Sequence, residues 1–502
     1  MNLIVRTPTS RLGRLRDRLL VELDDHRLVG TAVIIVLLAV CGLVGGFALA
    51  IAPLPVIGGL VGAIALFAII SEPRVGLYGT LAVITLLPFG VVPLPVGGVQ
   101  FTFLDITLTL TLALWLVKKA LLPEERLVVT PAGALLVIYL GITAVAFANG
   151  LAYGISASDA RLYLKSIDSA LFFFTVINLV QARREGGYLL FALLLGAAAA
   201  GAVGVFLYLL PNDMTIAILS KLGPLGYPTG PEVLRFIAES DRLRAVGTSI
   251  DPNVFGAMLM VAGVLGATQL PAPQAIVDKR LLWLLLPPIG LALLLSLSRS
   301  SWVGFAAGIA FASTVRYRRL WLLILPAGLL LLSGVIPGTS SFVGHLLTGL
   351  RLEDRATLMR LGEYKDALRL ISAHPWLGVG YGNAPSADLY IGVSSVYLLL
   401  AEHAGLIGLG SYLSAVGAVF GYTLPVIGRG VDERLEALAL SCLSALAGAM
   451  AAGFLDHHFV NVTFPHVVAL FWLCAGLAVV TAKAIRESAN TAQKGMRRQV
   501  GS

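Results

Sequence analysis

Charge is scarce in this chain: Asp, Glu, Lys and Arg make up 13% of its 502 residues, 57% are hydrophobic, and the mean hydropathy is +0.88. Soluble globular domains carry about 25% charged residues, so the composition excludes that class and leaves a polytopic membrane protein. Cysteine is equally sparse. Cys41, Cys442 and Cys474 all fall inside apolar runs, at spacings that suit neither a disulfide framework nor metal ligation, and read as small packing residues. There is no internal repeat, no low-complexity tract and no stretch expected to fold as a soluble domain. Nor is a cleavable leader expected, because the first apolar run is long enough to remain as a span. Residues 1–29 are basic and partly amphipathic, suited either to the anionic inner leaflet or to an ordinary cytoplasmic tail.

What is present is a succession of apolar runs. About 20 residues cross a hydrocarbon core about 30 Å thick, and candidate spans fall at 30–51, 54–71, 75–92, 103–117, 130–148, 168–181, 187–210, 252–270, 281–297, 301–315, 320–336, 395–427, 437–455 and 466–482. The expected fold is an all-α polytopic membrane protein with about 12–14 transmembrane helices. The run 395–427 is too long for one upright crossing, and 281–315 can also be read as one unit broken around Ser298 and Arg299.

Basic residues concentrate in cytoplasmic connections. Arg6 to Arg27 place the N-terminus inside, and every second connection repeats the signal, through Arg74, Lys118 and Lys119, Arg183 and Arg184, Lys279 and Arg280, Arg316 to Arg319, Arg429 and Arg434, and Lys483 onward. An even number of spans with both termini cytoplasmic follows. The expected organisation is a basic tail at 1–29, N-terminal spans at 30–336, a long external loop at 337–394, C-terminal spans at 395–482 and a second tail at 483–502. The formal charge of +8 is then a topology signal rather than a sign of nucleic-acid binding.

External basic residues need another reason to exist. Outside the long loop they are Arg161, Lys165, Lys221, Arg235, Arg242, Arg244 and Arg299. Lys221 and Arg235 read as solvated loop charge. Arg299 lies between apolar runs with few polar neighbours, and a guanidinium near membrane depth is costly unless it faces a cavity or an anion.

The loop 337–394 is the one long hydrophilic interruption, and it carries Arg351, Arg355, Arg360, Lys365, Arg369 and His374. Leu358, Leu361, Tyr364, Leu368 and Ile371 recur every three or four residues, which predicts an amphipathic helix with one apolar stripe. On its other face Arg360 is expected to pair with Glu363 and Asp366 with Arg369. The sequence Gly378-Val-Gly-Tyr-Gly-Asn383 lacks the strand and helix spacing of a dinucleotide loop and reads as a turn returning the chain to the membrane. Asp456-His457-His458 lacks a second pair at ligand spacing, so a polar interfacial role is expected there and no metal.

Several of these residues occur in a characteristic order. Arg244-Ala-Val-Gly247, Asp251-Pro-Asn253, Ser298-Arg299-Ser300, Arg355 leading to His374-Pro375-Trp376-Leu-Gly378-Val-Gly380, and Tyr397 to Glu402 with Gly405 and Gly408 together resemble the landmarks of the O-antigen ligase and polymerase superfamily. The resemblance spans 240–482 and is specific as a series. It implies a helical membrane core like that of other lipid-linked-sugar glycosyltransferases. It also implies transfer of a glycan from an undecaprenyl-pyrophosphate carrier to a glycan or lipid acceptor, at the outer face of a bacterial cytoplasmic membrane, with neither cofactor nor metal. By the same resemblance Arg244 and Arg299, with Arg355 as a third, bind the pyrophosphate, whose developing charge fixed guanidinium groups would stabilise.

One departure concerns the acceptor. The histidine that ligases of this family carry ahead of the paired glycines falls, counting back from Gly405 and Gly408, on Ser394-Ser395. Serine is a poor base at neutral pH. The candidates for activating the acceptor are therefore His374, Glu402 and His403, with Ser394 itself as the remaining position. A repeat-unit polymerase gains over a lipid ligase, and an inactive family member stays open. A transporter or flippase would also be polytopic with buried arginines, but it should show matched breaks in two halves, and Pro287-Pro288 has no counterpart in the first half. No serine, histidine or aspartate constellation points to an intramembrane protease.

Overall fold

The computed structural model describes residues 53–93, 100–121, 127–237, 242–322, 325, 355–383, 385–386 and 388–500. About 75% of the structure is helical, and among the described residues six helices are long and apolar enough to cross a bilayer, so the protein is an all-α polytopic membrane protein. The expected spans at 30–51 and 320–336, together with Cys41 and Arg351, lie wholly or mostly outside the described residues. Residues 1–71 form one unit, whose described part is the apolar helix α1 (Pro53–Ser71).

The second unit, 72–502, begins with α2 (Pro73–Leu86), α3 (Phe103–Leu121), α4 (Pro131–Gly150), α5 (Ala157–Leu179), α6 (Ala182–Leu209) and the short α7 (Asn212–Ser220). A two-stranded antiparallel hairpin follows, β1 (Arg235–Ile237) and β2 (Arg242–Arg244), with Arg235 opposite Arg244. Then come α8 (Pro252–Ala267), α9 (Lys279–Leu295), α10 (Arg299–Val315), α11 (Arg355–Ala373), α12 (Val396–Thr423), α13 (Glu433–Ala452) and α14 (Pro465–Val500).

Local chemistry explains several boundaries. Thr130 caps α4 with its hydroxyl on the Gly133 N–H, and Ser156 and Asp159 form a reciprocal capping box at the start of α5. That box starts α5 eleven residues before the expected span at 168, so Arg161 and Lys165 sit on a helix rather than in a loop. Lys165 pays for its position by pairing with Asp105 of α3 at 2.8 Å. The run 281–315 resolves into α9 and α10, separated by a tight turn in which Leu297 has φ of 51°. The helix α14 continues through most of the expected tail at 483–502.

The core lies around α8, α13 and α14, which are buried nearly all round, as helices enclosed by other helices must be. Close approach replaces hydrophobic contrast as the packing device between spans. On α10, Gly304 and Gly308 face the Gly448 and Ser444 carbonyls of α13, and a Cβ at either glycine would lie within 2.8 Å of that backbone. This seam fixes the start of α10 against the end of α13, where the polar residues gather. The other ends of these helices carry separate ion pairs, Arg316 with the buried Glu436 and Arg183 with Asp432.

The helix α11 differs from expectation in the face it buries. Leu358, Leu361 and Leu368 of the predicted stripe are exposed, whereas Ala367 and Leu370 are buried and Arg360, Glu363 and Tyr364 are half-buried on the side toward α12. The polar stripe has partners to satisfy, and the apolar one suits the membrane interface. Asp366 and Arg369 pair at 3.5 Å as expected, but the acidic partner of Arg360 is Asp456, and Glu363 accepts from Ser394 instead.

Candidate functional site

Four chain segments converge at one end of the bundle. The first is β2, whose last residue, Arg244, is followed by an Ala245 N–H bonded to the Leu295 carbonyl at the end of α9. The Arg244 Nε donates to the Ser296 carbonyl at 2.8 Å and its Nη2 to Asn253 Oδ1 at 2.5 Å, so two donors hold the guanidinium while others remain for a ligand. Asn253 is itself placed by the cap of α8, where Asp251 Oδ1 accepts from the Asn253 and Val254 N–H groups. Ile250, just before this cap, has φ of 61°, a second strained non-glycine residue beside the site with Leu297.

The second segment is the Ser296–Ser301 turn. Ser298 is within 2.9 Å of the Ser301 hydroxyl, and Ser296, Ser298, Ser300 and Ser301 are all buried around Arg299 at the start of α10. The third is α11, which brings Arg360, Glu363 and Tyr364. The fourth is the connection from α13 to α14, with Asp456, His457 and His458.

These groups form one electrostatic cluster. Burial pulls the Arg244 pKa down to about 10; Asp251 and Asp456 oppose that, while Arg299 and Arg360 add to it. The group stays cationic at neutral pH. Asp456 Oδ1 lies 2.9 Å from His457 Nδ1 and 3.0 Å from His458 Nε2, and Oδ2 lies 3.3 Å from the Ser300 hydroxyl and 3.8 Å from Arg360 Nη2. Burial alone would raise the Asp456 carboxyl, but the His458 charge and hydrogen bonds from both imidazoles outweigh it and hold the group well below the usual carboxylate range. Burial works against charge on His458 too, yet the Asp456 carboxylate outweighs it and raises that imidazole. The donor atoms of Asp456, His457 and His458 lie within 4.8 Å of one another, a separation an ion could bridge. Arg360 and Arg244 lie near this carboxylate and Arg299 lies near Arg244, so the surplus of positive charge makes this a place for an anion rather than a dication.

Of the residues expected from sequence, Arg244 and Arg299 meet here. Arg355 opens α11, and its side chain lies outside the described residues. Ser394 precedes α12 and donates to Glu363 Oε2 through its N–H at 3.0 Å and its hydroxyl at 2.9 Å, while Tyr364 Oη sits 3.2 Å from the Ser394 carbonyl and 3.1 Å from that of Phe454. Ser394 therefore fastens α11 to the start of α12. Ser394→Ala is expected to lower stability by about 1 to 2 kcal/mol, the loss of one hydrogen bond to a carboxylate, and to leave turnover within a few-fold of wild type; a thermal melt and a transfer assay read the two separately.

His374 follows α11 with its ring edge-on to Tyr153, and among the described residues no hydrogen bond, ion pair or ring contact joins it to the cluster. Glu402 and His403 lie inside α12. The Glu402 carboxyl is buried, and the His403 ring packs on Tyr381 at 4.5 Å, beside a cavity lined by Tyr139, Tyr163, Tyr412, Phe459 and Trp472. Sequence reasoning missed Arg360, Asp456, His457 and His458 as a group. An acid followed by two histidines in a short break between spans was the available signal, because ionisable groups at such depth usually serve function.

A search of the curated proteins finds no match to this chain. Residues 281–413 match the family described as O-antigen ligase. The match contains Arg299, Arg360 and the paired glycines of α12, while Arg244 and Asp456 lie outside it and join the site through the fold. The matched central segment and the ordered landmarks of this multi-pass membrane chain support its resemblance to the O-antigen ligase and polymerase superfamily.

Proposed function

We propose that this protein transfers or polymerises glycan from an undecaprenyl-pyrophosphate carrier at the outer face of the bacterial cytoplasmic membrane. The observation that carries this reading is the cluster of Arg244, Arg299 and Arg360 around a bundle end lined by buried serines. A pyrophosphate leaving group gains charge as the bond from sugar C1 breaks, and guanidinium groups held in a low-dielectric cleft stabilise it without reorganising. Arg244 is held in advance by Ser296 and Asn253, as such a role requires. Arg360 supports the role of third cation more directly than Arg355. The polyprenyl chain needs apolar area more than specific residues, and the spans offer it. The acceptor is a second lipid-linked glycan or a lipid.

Purified protein in lipid nanodiscs, given a carrier-linked oligosaccharide, should lengthen or transfer the glycan without a nucleotide sugar. Movement of intact carrier across the bilayer with no new glycosidic bond would instead identify a transporter.

The topology is part of the proposal: residues 337–394 face outward and both termini lie in the cytoplasm. A single cysteine replacing Asn383 should react with a membrane-impermeant maleimide in intact cells, once any outer membrane is permeabilised. Reaction only after lysis of the inner membrane would invert the map.

A further inference from the structure

With serine at 394, the proposed reaction lacks the family's proton acceptor, since an attacking sugar hydroxyl must lose its proton as its oxygen bonds to C1. A group for that task must keep part of its side chain exposed, be held in one orientation, and adjoin the guanidinium cluster. Among the described residues, His374 has no contact with the cluster, and the Glu402 carboxyl is buried within a span. His457 satisfies all three conditions.

Its Nδ1 is 2.9 Å from Asp456 Oδ1, and its backbone N–H donates to the same oxygen at 2.9 Å, so ring and backbone are fixed together. The His457 side chain keeps 22% of its surface where Asp456 keeps 6%, and Nε2 makes no hydrogen bond among the described residues. The second oxygen of Asp456 faces Ser300 and Arg360. One carboxylate thus joins the imidazole, at one oxygen, to the arginine cluster at the other. His458 plays a different part: it is buried, with its Nε2 3.0 Å from the same carboxylate.

We propose that His457 is the general base for the acceptor hydroxyl and that Asp456 is the residue that positions it. This rests on the glycan-transfer reading. The acceptor oxygen forms its bond to C1 while the C1–O bond to the pyrophosphate breaks; the bonding pair leaves on the phosphate oxygen, beside the arginines, and the acceptor proton passes to His457 Nε2. A proton on Nδ1, donated to Asp456, leaves Nε2 with the lone pair this step needs. The charged groups around the pair are His458 on the same segment, Arg360 and Glu363 from α11, Arg244 from β2, Asp251 from the cap of α8, Arg299 from α10 and His403 from α12. The negative carboxylate also stabilises the imidazolium that forms.

The test uses the full chain in nanodiscs and follows both binding of a carrier-linked oligosaccharide and its transfer. His457→Ala and His457→Gln are expected to bind donor as wild type does and to lose about 100- to 10,000-fold in turnover. Added imidazole should restore part of the His457→Ala activity but none to Arg244→Ala, and the acid limb of the wild-type pH–rate profile should vanish from the residual activity. Asp456→Asn should lower turnover and shift that limb. Turnover of His457→Gln within a few-fold of wild type overturns the assignment and leaves glycan transfer standing. Lost transfer together with lost donor binding overturns it as well, since the residue would then serve the donor. Wild-type protein that binds donor but never transfers glycan overturns the functional reading and this assignment with it.

Discussion

Arg244→Ala is expected to abolish glycan transfer, lowering turnover by at least about 100-fold, while the protein still inserts and folds. The guanidinium is half-buried, pinned through Nε to Ser296 and through Nη2 to Asn253, and remains charged beside Arg299 and Arg360. Three cations gathered where burial already disfavours charge repel one another, an arrangement that a bound pyrophosphate would relieve. Removing one should therefore harm the loaded enzyme far more than the empty one, and the variant protein should melt at or above the wild-type temperature. Arg299→Lys tests geometry rather than charge. An ammonium cannot present the planar fork that engages two phosphate oxygens, so rescue should be poor. Steady-state transfer by both variants, with circular dichroism as the control for folding, checks the claim. Full activity in Arg244→Ala and Arg299→Ala would remove the arginines from the mechanism.

Gly405→Ala should destroy the folded protein rather than its chemistry. Gly405 has φ of 66° and ψ of −174°, a region essentially closed to other residues, and it interrupts the hydrogen-bond ladder of α12. The break frees four backbone groups, which cannot go unpaired at membrane depth. The turn after α11 pairs them: Val379 N–H donates to the Glu402 carbonyl at 2.8 Å and Gly380 N–H to that of His403 at 2.9 Å. In return the Leu406 N–H reaches the Pro375 carbonyl at 2.7 Å and the Ile407 N–H reaches that of Trp376 at 3.4 Å. A Cβ on Gly405 would lie 2.1 Å from the Trp376 carbonyl oxygen, against backbone that no rotamer change can move. Strain and overlap together should cost more than about 2 kcal/mol and undock the loop that carries α11. Expression of a fluorescent fusion and its monodispersity in detergent measure the outcome. Wild-type yield and melting temperature in Gly405→Ala would mean that the turn is not seated in α12.

That docking shows what a sequence can and cannot convey. Gly378-Val-Gly reads as a turn, and the structure shows one docked on α12, but the partner of the turn depends on a helix break concealed within a mostly apolar run of 28 residues. The length of the run 395–427 is explained by this break. Spans are legible because each must satisfy its own backbone and cover itself in apolar side chains; α4, α6 and α8 lie close to where hydropathy puts them. The site is less legible because its members come from four segments. Arg244 and Arg299 stand out singly, as charges with too little polar company. Arg360 does not, since an arginine three residues before a glutamate on an amphipathic helix looks self-paired, and only the fold puts Asp456 next to it. The apolar stripe of α11 misled for the same reason: in water it would be the buried face, whereas beside a bilayer the polar face is the one that needs the protein.

In the proposed reaction this bundle end breaks the bond between a sugar and a carrier pyrophosphate while making a new glycosidic bond. The direct measurement is the number of carrier molecules released for each glycosidic bond formed, by purified protein supplied only with undecaprenyl-pyrophosphate oligosaccharide and acceptor. One free undecaprenyl pyrophosphate per new bond is predicted, with both products absent for Arg244→Ala. New bonds formed without carrier release, or carrier release equal in wild type and Arg244→Ala, would contradict it.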